Sequence, residues 1–181
     1  MFTTETKTVT VSTPEFIAKY RDIAKFEGYC HQCPNYNRCY SCPPHGFDVA
    51  SYLDGYAHGV IIGTKIILDP QLLQKPLSAA ERDRFIEDLT HDYRRLLDAT
   101  ILALEQSIDG ARGCFAGPCQ FCTECAKVAG EPCRFPQKRR PSLESIGFDL
   151  AATSKELLGI ELQWSRDALP PYFTLISALF Y

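Results

Sequence analysis

The chain has 181 residues and a net charge of −3, and it is 45% hydrophobic and 23% charged. This length and composition are ordinary for one globular domain, here residues 1–181, with its own hydrophobic core. A nucleic-acid-binding domain normally carries a basic excess on one face, so no nucleic-acid partner is expected. No stretch approaches the ~18 uninterrupted apolar residues of a membrane span. Residues 1–12 contain no apolar signal-peptide segment, so we expect a cytoplasmic protein without a membrane partner.

The first part of the chain predicts a strand, a helix and a loop. Lys7–Val11 alternates with β-branched residues, as a short strand does. Thr13 and Pro14 have the order of a helix start, and an apolar face continues at helical spacing to Gly28. Residues 30–46 are rich in Cys, Pro and Asn and predict a loop, which we call the first cysteine loop.

The middle of the chain predicts a short helix, a buried strand and one long helix. The short helix is expected at Asp48–Leu53. Gly59–Leu68 is an almost continuous apolar run that ends at Asp-Pro, which is typical of a buried strand. Ser78 and Glu81 have the spacing of a capping box, and the apolar residues that follow at helical spacing predict a helix over 78–109.

The last part of the chain predicts two strands on either side of a second cysteine-rich segment. Ala111–Phe115 predicts a short strand that leads into residues 114–136, which we call the second cysteine loop. A helical turn at Ser142–Ile146, a short helix capped from Thr153 and a final strand at Phe173–Tyr181 are expected after it. Together the elements predict an α+β fold: a small mixed sheet packs on the long helix, and the two cysteine loops meet at one end of the core.

The nine cysteines are the unusual feature of the composition. An odd number of thiols in a chain without a secretion signal fits poorly with a disulfide framework. Thiols in a reducing compartment are more often metal ligands or catalytic groups. Cys114 is expected to be a small buried residue at the end of a strand. The other eight are the candidate metal ligands, namely Cys30, Cys33, Cys39, Cys42, Cys119, Cys122, Cys125 and Cys133.

The spacing in the second cysteine loop favours an iron–sulfur cluster. Cys119, Cys122 and Cys125 follow one another at intervals of three, as in bacterial ferredoxins, where such a run curls around one face of a cubic [4Fe–4S] cluster. A single zinc ion more often uses separated Cys-x-x-Cys pairs that converge on one point. Cys133 follows after seven further residues and precedes Arg134 rather than proline, so it is a ligand of the same cluster or of a neighbouring one.

The first cysteine loop consists of two Cys-x-x-Cys pairs separated by five residues. Four thiols within thirteen residues indicate a shared ion or cluster, and the paired spacing also suits zinc. One or two [4Fe–4S] clusters are therefore expected, with zinc as the alternative. His31 and His45 lie next to predicted ligands, where a role beside the metal is commoner than coordination.

The sequence leaves three functional hypotheses open. The first is an iron–sulfur redox protein that passes single electrons to a redox partner protein, helped by four basic residues that stabilise the cluster or dock the partner. These are Arg134, Lys138, Arg139 and Arg140. The second is a zinc-stabilised interaction module. The third is an enzyme whose iron–sulfur cluster has an open iron, although no nucleophile with its base and no phosphate-binding loop can be identified.

Several short motifs in a fixed order resemble a known family. They are Cys-x-x-Cys-Pro-x-Tyr, Cys-Pro-Pro, Gly-Pro-Cys-x-x-Cys-x-x-Cys, Pro-Cys-Arg-Phe-Pro, Arg-Pro-Ser-x-Glu and Gly-Phe-Asp. In this combination the chain resembles an uncharacterised bacterial and archaeal family of predicted metal-binding proteins with paired cysteine motifs. The resemblance implies a metal but no particular reaction. It implies ligand roles for seven cysteines, with Cys39 and Cys114 outside the regular pattern, namely Cys30, Cys33, Cys42, Cys119, Cys122, Cys125 and Cys133.

Overall fold

The computed structural model describes residues 2–181, in which strands and helices build an α+β fold. The elements in chain order are β1 (Phe2–Ser12), α1 (Thr13–Tyr20), α2 (Ile23–Cys30), β2 (His58–Leu68), α3 (Pro70–Leu73), α4 (Ala79–Ser107), β3 (Arg112–Cys114), α5 (Leu150–Leu158) and β4 (Tyr172–Phe180). The predicted fold class, with one long helix beside a small sheet and two cysteine-rich loops, is confirmed.

The sheet has the strand order β1-β2-β4-β3, and all three pairings are antiparallel. We expected a mixed sheet, and the parallel pairing found within residues 2–181 is an isolated bridge between Phe115 and Ser142. β3 is short because the chain leaves the sheet at Phe115, whose N–H donates to the Pro141 carbonyl at 2.9 Å. The second cysteine loop therefore starts at the sheet edge.

A separate hydrophobic cluster covers each face of the sheet. On one face, Phe16 of α1 stacks on Phe148 with ring centroids 4.6 Å apart, and Phe180 of β4 lies beside them. On the other face, Leu89 of α4 packs in a cluster with Leu175 of β4. Successive residues of a strand point to opposite faces, so β4 contributes to both clusters.

Helix α4 begins with the predicted capping box. The Ser78 hydroxyl accepts the Glu81 N–H, and the Glu81 carboxylate accepts the Ser78 N–H in return. The helix buries only a narrow stripe along its 29 residues, and Leu96, predicted to lie on the apolar face, is 62% exposed. Its polar surface therefore faces the loops and grooves around the cysteines.

The helix predicted from Thr13 to Gly28 is two helices, because Arg21 leaves helical geometry. Arg21 forms an isolated bridge with Phe148, and its guanidinium donates to the Ile146 carbonyl at 2.9 Å. The Asp22 carboxylate then accepts the Lys25 N–H and starts α2. A tertiary contact thus overrides a continuous helical pattern.

Two shorter helix predictions are wrong in position or type. Asp48–Leu53 forms turns, because the Asp48 side chain bonds the nearby Ala50 N–H and competes with a helix. Helix α5 begins at Leu150 with Asp149 as its cap, whereas the predicted cap Thr153 is fully buried within the helix. The 3₁₀ turn Glu144–Ile146 agrees with the predicted helical turn.

Candidate metal centre

Five cysteines from the two loops line one small cavity, which we call the thiol cavity. The first cysteine loop supplies Cys39, which is buried. The second cysteine loop supplies the other four, Cys119, Cys122, Cys125 and Cys133. The two loops therefore meet, as predicted, and the candidate ligands are shared between them.

Lys127 ties the first cysteine loop to the second. It lies in the 3₁₀ turn Ala126–Ala129, directly after Cys125. Its ammonium donates to the backbone carbonyls of Pro44 at 2.9 Å and of Cys39 and Cys42 at 3.4 Å each. The Lys127 ammonium thus provides hydrogen bonds for three backbone carbonyls of a loop that has no regular secondary structure.

Ser41 connects the two sides of the thiol cavity directly. Its hydroxyl lies 3.0 Å from the Cys39 sulfur and accepts the Cys119 N–H at 2.8 Å. Ser41 is only 1% exposed, so these bonds are protected from water. Ser41, which lies between Cys39 and Cys42 in the sequence, therefore holds the backbone of Cys119 in the other loop close to the Cys39 sulfur.

Aromatic and cationic side chains complete the cavity wall. Phe121 packs edge-on against Phe135 at 6.3 Å and against the buried Phe115 at 5.9 Å. The Arg139 guanidinium lies 5.1 Å from the ring centre of Tyr40, whose hydroxyl donates to the Glu131 carbonyl at 2.7 Å. The thiols thus face an apolar wall with a positive charge at its rim.

The thiols of the cavity differ in how readily they ionise. Donation from the Cys42 thiol lowers the pKa of Cys39 to about 5. Burial raises the pKa of Cys119 to about 12. A buried thiolate becomes stable when a cation compensates its charge, so binding of a metal cation would release the protons that the thiols of the cavity still hold.

Arg94 and Asp98 of α4 support the second cysteine loop from behind. Arg94 donates from Nε to the Ala116 carbonyl at 2.9 Å. Gly117 has a φ of +96°, and a Cβ there would lie 3.0 Å from the Arg94 Nε, so only glycine allows this close approach.

Asp98 is a buried carboxylate without a hydrogen-bond partner. It is 1% exposed, and neither of its oxygens has a partner in hydrogen-bond geometry. Burial raises the pKa of Asp98 to about 7, although the Arg94 charge and the Gln120 N–H, which lies near the carboxylate without meeting hydrogen-bond geometry, oppose this shift. The Asp98 carboxyl group is therefore partly protonated at neutral pH, and burial disfavours its charged form.

The structure places the other predicted ligands outside the thiol cavity. Cys30 is the last residue of α2, and Cys33 is exposed. Burial, with Glu144 and Cys33 as further causes, raises the pKa of Cys30 to about 11. Cys42 lies beside Cys39, whose hydrogen bond raises the pKa of Cys42. Metal ligation by each of the eight cysteines stays a prediction.

Cys114 and the two histidines have the surroundings of structural residues. Cys114 is fully buried in β3 and pairs with Ala178, as expected of a small strand residue. The His45 ring nitrogen Nε2 lies 2.9 Å from the Ser145 carbonyl, and His31 packs on the Tyr36 ring at 4.2 Å.

Two of the four basic residues after Cys133 have their cationic groups engaged in hydrogen bonds. Arg140 makes a doubly hydrogen-bonded ion pair with Glu105 of α4, with both N–O distances at 2.6 Å and both side chains 9% exposed. Arg134 donates to the Glu124 carbonyl at 2.8 Å and closes the second cysteine loop. Only Lys138 and Arg139 of the four have cationic groups free of hydrogen bonds within residues 2–181.

The donor chemistry of the cavity fits a thiophilic metal group, but the space is tight. Across residues 2–181, no three Cys, His, Asp or Glu side chains converge closely enough to hold a single ion. The enclosed volume is about 20 Å³, room for about one water molecule. Soft thiolates select zinc, copper(I) or iron–sulfur clusters. A cubic cluster needs more space than this, so binding one would require the walls of the cavity to move apart.

The sequence did not predict a role in the site for Ser41, Lys127 or Asp98. Ser41 stands between two cysteines, which is a signal of proximity, but nothing in the sequence links Lys127 to the first cysteine loop. Asp98 follows Arg94 by four residues on α4, a spacing that predicts a neighbouring pair but not its burial.

In the part of the chain that the structure describes, no helix has the length and apolarity needed to cross a membrane.

Comparison with known proteins defines the family but not the reaction. No curated protein and no solved structure matches the chain significantly. A family model described as "Predicted metal-binding protein (DUF2284)" matches residues 18–179, which include all nine cysteines. The chain therefore belongs to this family of predicted metal-binding proteins.

Proposed function

We propose that this protein holds a [4Fe–4S] cluster in the thiol cavity and passes single electrons to a partner protein. Cys119, Cys122 and Cys125 are the proposed ligands from the second cysteine loop. The fourth ligand is Cys39 or Cys133, which also line the cavity. When bound, such a cluster supplies one-electron chemistry at a potential set by its surroundings.

The observation that carries the proposal is the meeting of five thiols from two loops around one cavity. A tetrahedral zinc ion needs four ligands that converge on one point, and no three of them do so in residues 2–181. Thiolates around a cubic cluster are spread over its corners, each on a different iron. The three-residue intervals between Cys119, Cys122 and Cys125 support the same assignment.

The surrounding side chains suit a group with a net negative charge. A [4Fe–4S]²⁺ centre with four thiolates carries a charge of about −2, which nearby cations stabilise. Lys127 and Arg139 are the cations beside the cavity, and Arg139 lines it. Ser41 holds Cys39 and Cys119 in place, while Phe121 and Phe135 limit access of water. Low solvent access and oriented dipoles tune the potential of such centres.

A second metal centre at Cys30, Cys33 and Cys42 belongs to the same proposal. Burial is the largest cause that raises the pKa of Cys30, and the hydrogen bond with Cys39 is the largest cause that raises the pKa of Cys42. Negative charge at Glu144 adds to both shifts. A metal cation between these groups would offset that repulsion. We also propose a reducing, cytoplasmic setting and a redox partner protein, since free thiols and labile clusters persist there.

Zinc is the second candidate, and the tightness of the cavity favours it. A space of about 20 Å³ admits a single ion with less movement than a cubic cluster requires. In that case the site would be structural, and binding surfaces would carry the function.

The experiment that decides between them is a metal analysis. The protein would be purified without oxygen, and iron, zinc and acid-labile sulfide would be measured per chain together with the visible spectrum. We expect about four irons and four sulfides for one cluster, or about eight of each if the second centre is also a cluster. Stoichiometric zinc without sulfide, in a colourless protein, would reject the redox function.

A further inference from the structure

Successive residues of β4 direct their backbone N–H and C=O groups alternately towards β2 and away from it. The strand register shows which residues direct these groups away. The His58 N–H donates to the Tyr181 carbonyl at 3.0 Å, and the Tyr181 N–H donates back at 2.9 Å. At the other end of the ladder, the Leu68 N–H donates to the Pro171 carbonyl at 3.0 Å. In an antiparallel pair, hydrogen-bonded positions alternate with non-bonded ones. Odd-numbered residues of β4 therefore bond to β2, and even-numbered residues direct N–H and C=O away from it.

Only the end of this outward edge is covered. β3 pairs with Ala178–Phe180, and the chain then turns away at Phe115. Tyr172, Thr174 and Ile176 lie beyond that point. Within residues 2–181 their backbone groups have no hydrogen-bond partner on the open side. β4 is thus an inner strand of the sheet over three residues and an edge strand over the rest.

A groove of about 530 Å³ runs along the uncovered part of β4, and we call it the edge groove. Its lining includes three consecutive strand residues, Phe173, Thr174 and Leu175. Because consecutive side chains point to opposite faces, a cavity that touches all three lies at the strand edge. The Thr174 hydroxyl is buried and also lacks a partner.

The walls of the edge groove come from α4 on one side and the loop before β4 on the other. Glu87 and Arg94 lie on the α4 side, and Trp164 lies on the loop side, 75% exposed. A neighbouring cavity of about 420 Å³ shares Glu87 and Arg94 and continues to Cys119 in the second cysteine loop. The edge groove therefore continues into a second cavity that reaches the second cysteine loop.

We propose that the edge groove binds an extended peptide segment of a partner protein, which adds to the sheet as a strand beside β4. A row of unpaired N–H and C=O groups is complementary to another extended backbone. Residues 172–176 cover about 14 Å of strand, the length of about five residues. Among the charged residues that line the groove, Asp83 and Glu87 outnumber Arg94, so the groove favours a basic side chain in the segment, and Trp164 offers that side chain an aromatic surface.

The walls of the groove favour a single extended chain over a folded second copy as the occupant. Helix α4 lies on one side and the loop before β4 on the other, so the edge of a second sheet would have to enter between them. The other free edge of this protein, β1, carries charged Glu5 and Lys7 near its middle, which is typical of edges that resist self-association. Binding of a peptide in the edge groove requires no metal in the thiol cavity.

The test uses peptides selected for binding to the full chain from a displayed library of random short peptides. Backbone N-methylation would then be moved along the tightest-binding peptide, with affinity measured by fluorescence anisotropy. We expect every second methyl group to weaken binding by about tenfold, since only alternate N–H groups of an added strand face β4. The intervening methyl groups should change affinity by less than about twofold.

Two matched variants test the protein side. Thr174→Pro removes an outward N–H that β2 does not use, and edge positions tolerate proline. It should weaken the same peptide by about tenfold or more. Thr174→Val keeps the N–H and the shape, so its affinity should stay within about twofold. If Thr174→Pro does not fold, the N-methyl series on the unaltered protein still decides.

Three results would overturn the inference. The first is that no selected peptide binds more weakly to Thr174→Pro while keeping its affinity for Thr174→Val. Another is an N-methyl series without alternation. The third is a concentration-dependent dimer in sedimentation velocity that Thr174→Pro abolishes, which would assign the groove to a second copy of the chain.

Discussion

The two cysteine loops contain the same number of candidate ligands but use them differently. The second cysteine loop brings all four of its candidates to the thiol cavity, whereas the first brings only Cys39. In the first loop, Cys30 is fixed as the end of α2, and the turn to Cys33 continues from it with a 3.0 Å bond between Cys33 N–H and the Cys30 carbonyl. Helical geometry thus directs part of this loop away from the cavity. Spacing identifies ligand-like thiols, but the neighbouring elements decide which of them share a site.

The largest effect expected from this comparison is on metal content. Cys122→Ser removes a thiol of the cavity, and it should reduce the metal bound per chain to less than about half, because a hydroxyl is a poor ligand for soft metals. Cys33→Ser changes an exposed thiol outside the cavity, so it should leave the metal of the thiol cavity in place and remove at most the metal of the proposed second centre. Iron, zinc and sulfide would be measured in both variants beside the unaltered protein.

The opposite ranking of these two variants would break the comparison. If Cys33→Ser lost more metal than Cys122→Ser, the first cysteine loop would hold the principal site. If each variant lost about half, the two loops would hold separate centres of equal occupancy.

The second effect concerns Asp98, whose burial beside the second cysteine loop opposes folding at neutral pH. Its pKa is raised from 3.8 to about 7 in the folded chain, so the folded state binds more protons than the unfolded state between these values. The stability that this group contributes is fully present below about pH 4 and is lost as the pH rises through 7. Asp98→Asn removes the charge, and it should stabilise the protein by on the order of 3 kcal/mol at pH 8.

Urea denaturation at pH 5 and pH 8 would measure this effect. The stabilisation by Asp98→Asn should be much smaller at pH 5 than at pH 8. A stabilisation of equal size at both values would show that Asp98 is not protonated on folding. The exposed Asp92→Asn on the same helix is the matched control, and it should change stability by less than about 0.5 kcal/mol at either pH.

The third effect concerns Lys127, which holds the first cysteine loop against the second. Lys127→Met removes the cation that donates to the carbonyls of Cys39, Cys42 and Pro44. We expect a loss of about 1–3 kcal/mol in the free energy of unfolding and faster hydrogen exchange at the amides of residues 39–42, since the carbonyls of this segment lose their partner. Lys138→Met in the same region has no such bonds and should leave both measurements unchanged. Equal exchange in the two variants would mean that the loop is held by Ser41 and Tyr40 alone.

Much of the fold was predictable because it depends on local patterns. The capping box at Ser78, the apolar run of β2 and the final apolar strand each specify their element within a few residues. The break at Arg21 was not predictable, because its cause is a contact with Phe148, far along the chain. The helical spacing of apolar residues does not show which distant residue will contact the chain.

The candidate site was predictable in its chemistry but not in its assembly. The thiols and their spacing are visible in the sequence, and they gave the cysteines that line the cavity. The role of Cys39 depends on Ser41 and Lys127, which join segments about 80 residues apart. Only the packing of the two loops brings Cys39 to the others.

The smallest effect is expected at Cys114, the one cysteine predicted to be structural. It is fully buried in β3, and burial raises its pKa, so it stays a neutral thiol. Cys114→Ala should cost about 1 kcal/mol from the lost sulfur contacts and leave the metal per chain unchanged. The free energy of unfolding, from urea denaturation, and the metal content per chain would be measured on the same preparation. A loss of metal with unchanged stability would make Cys114 a ligand, and the thiol cavity would then extend from the loops into the sheet itself.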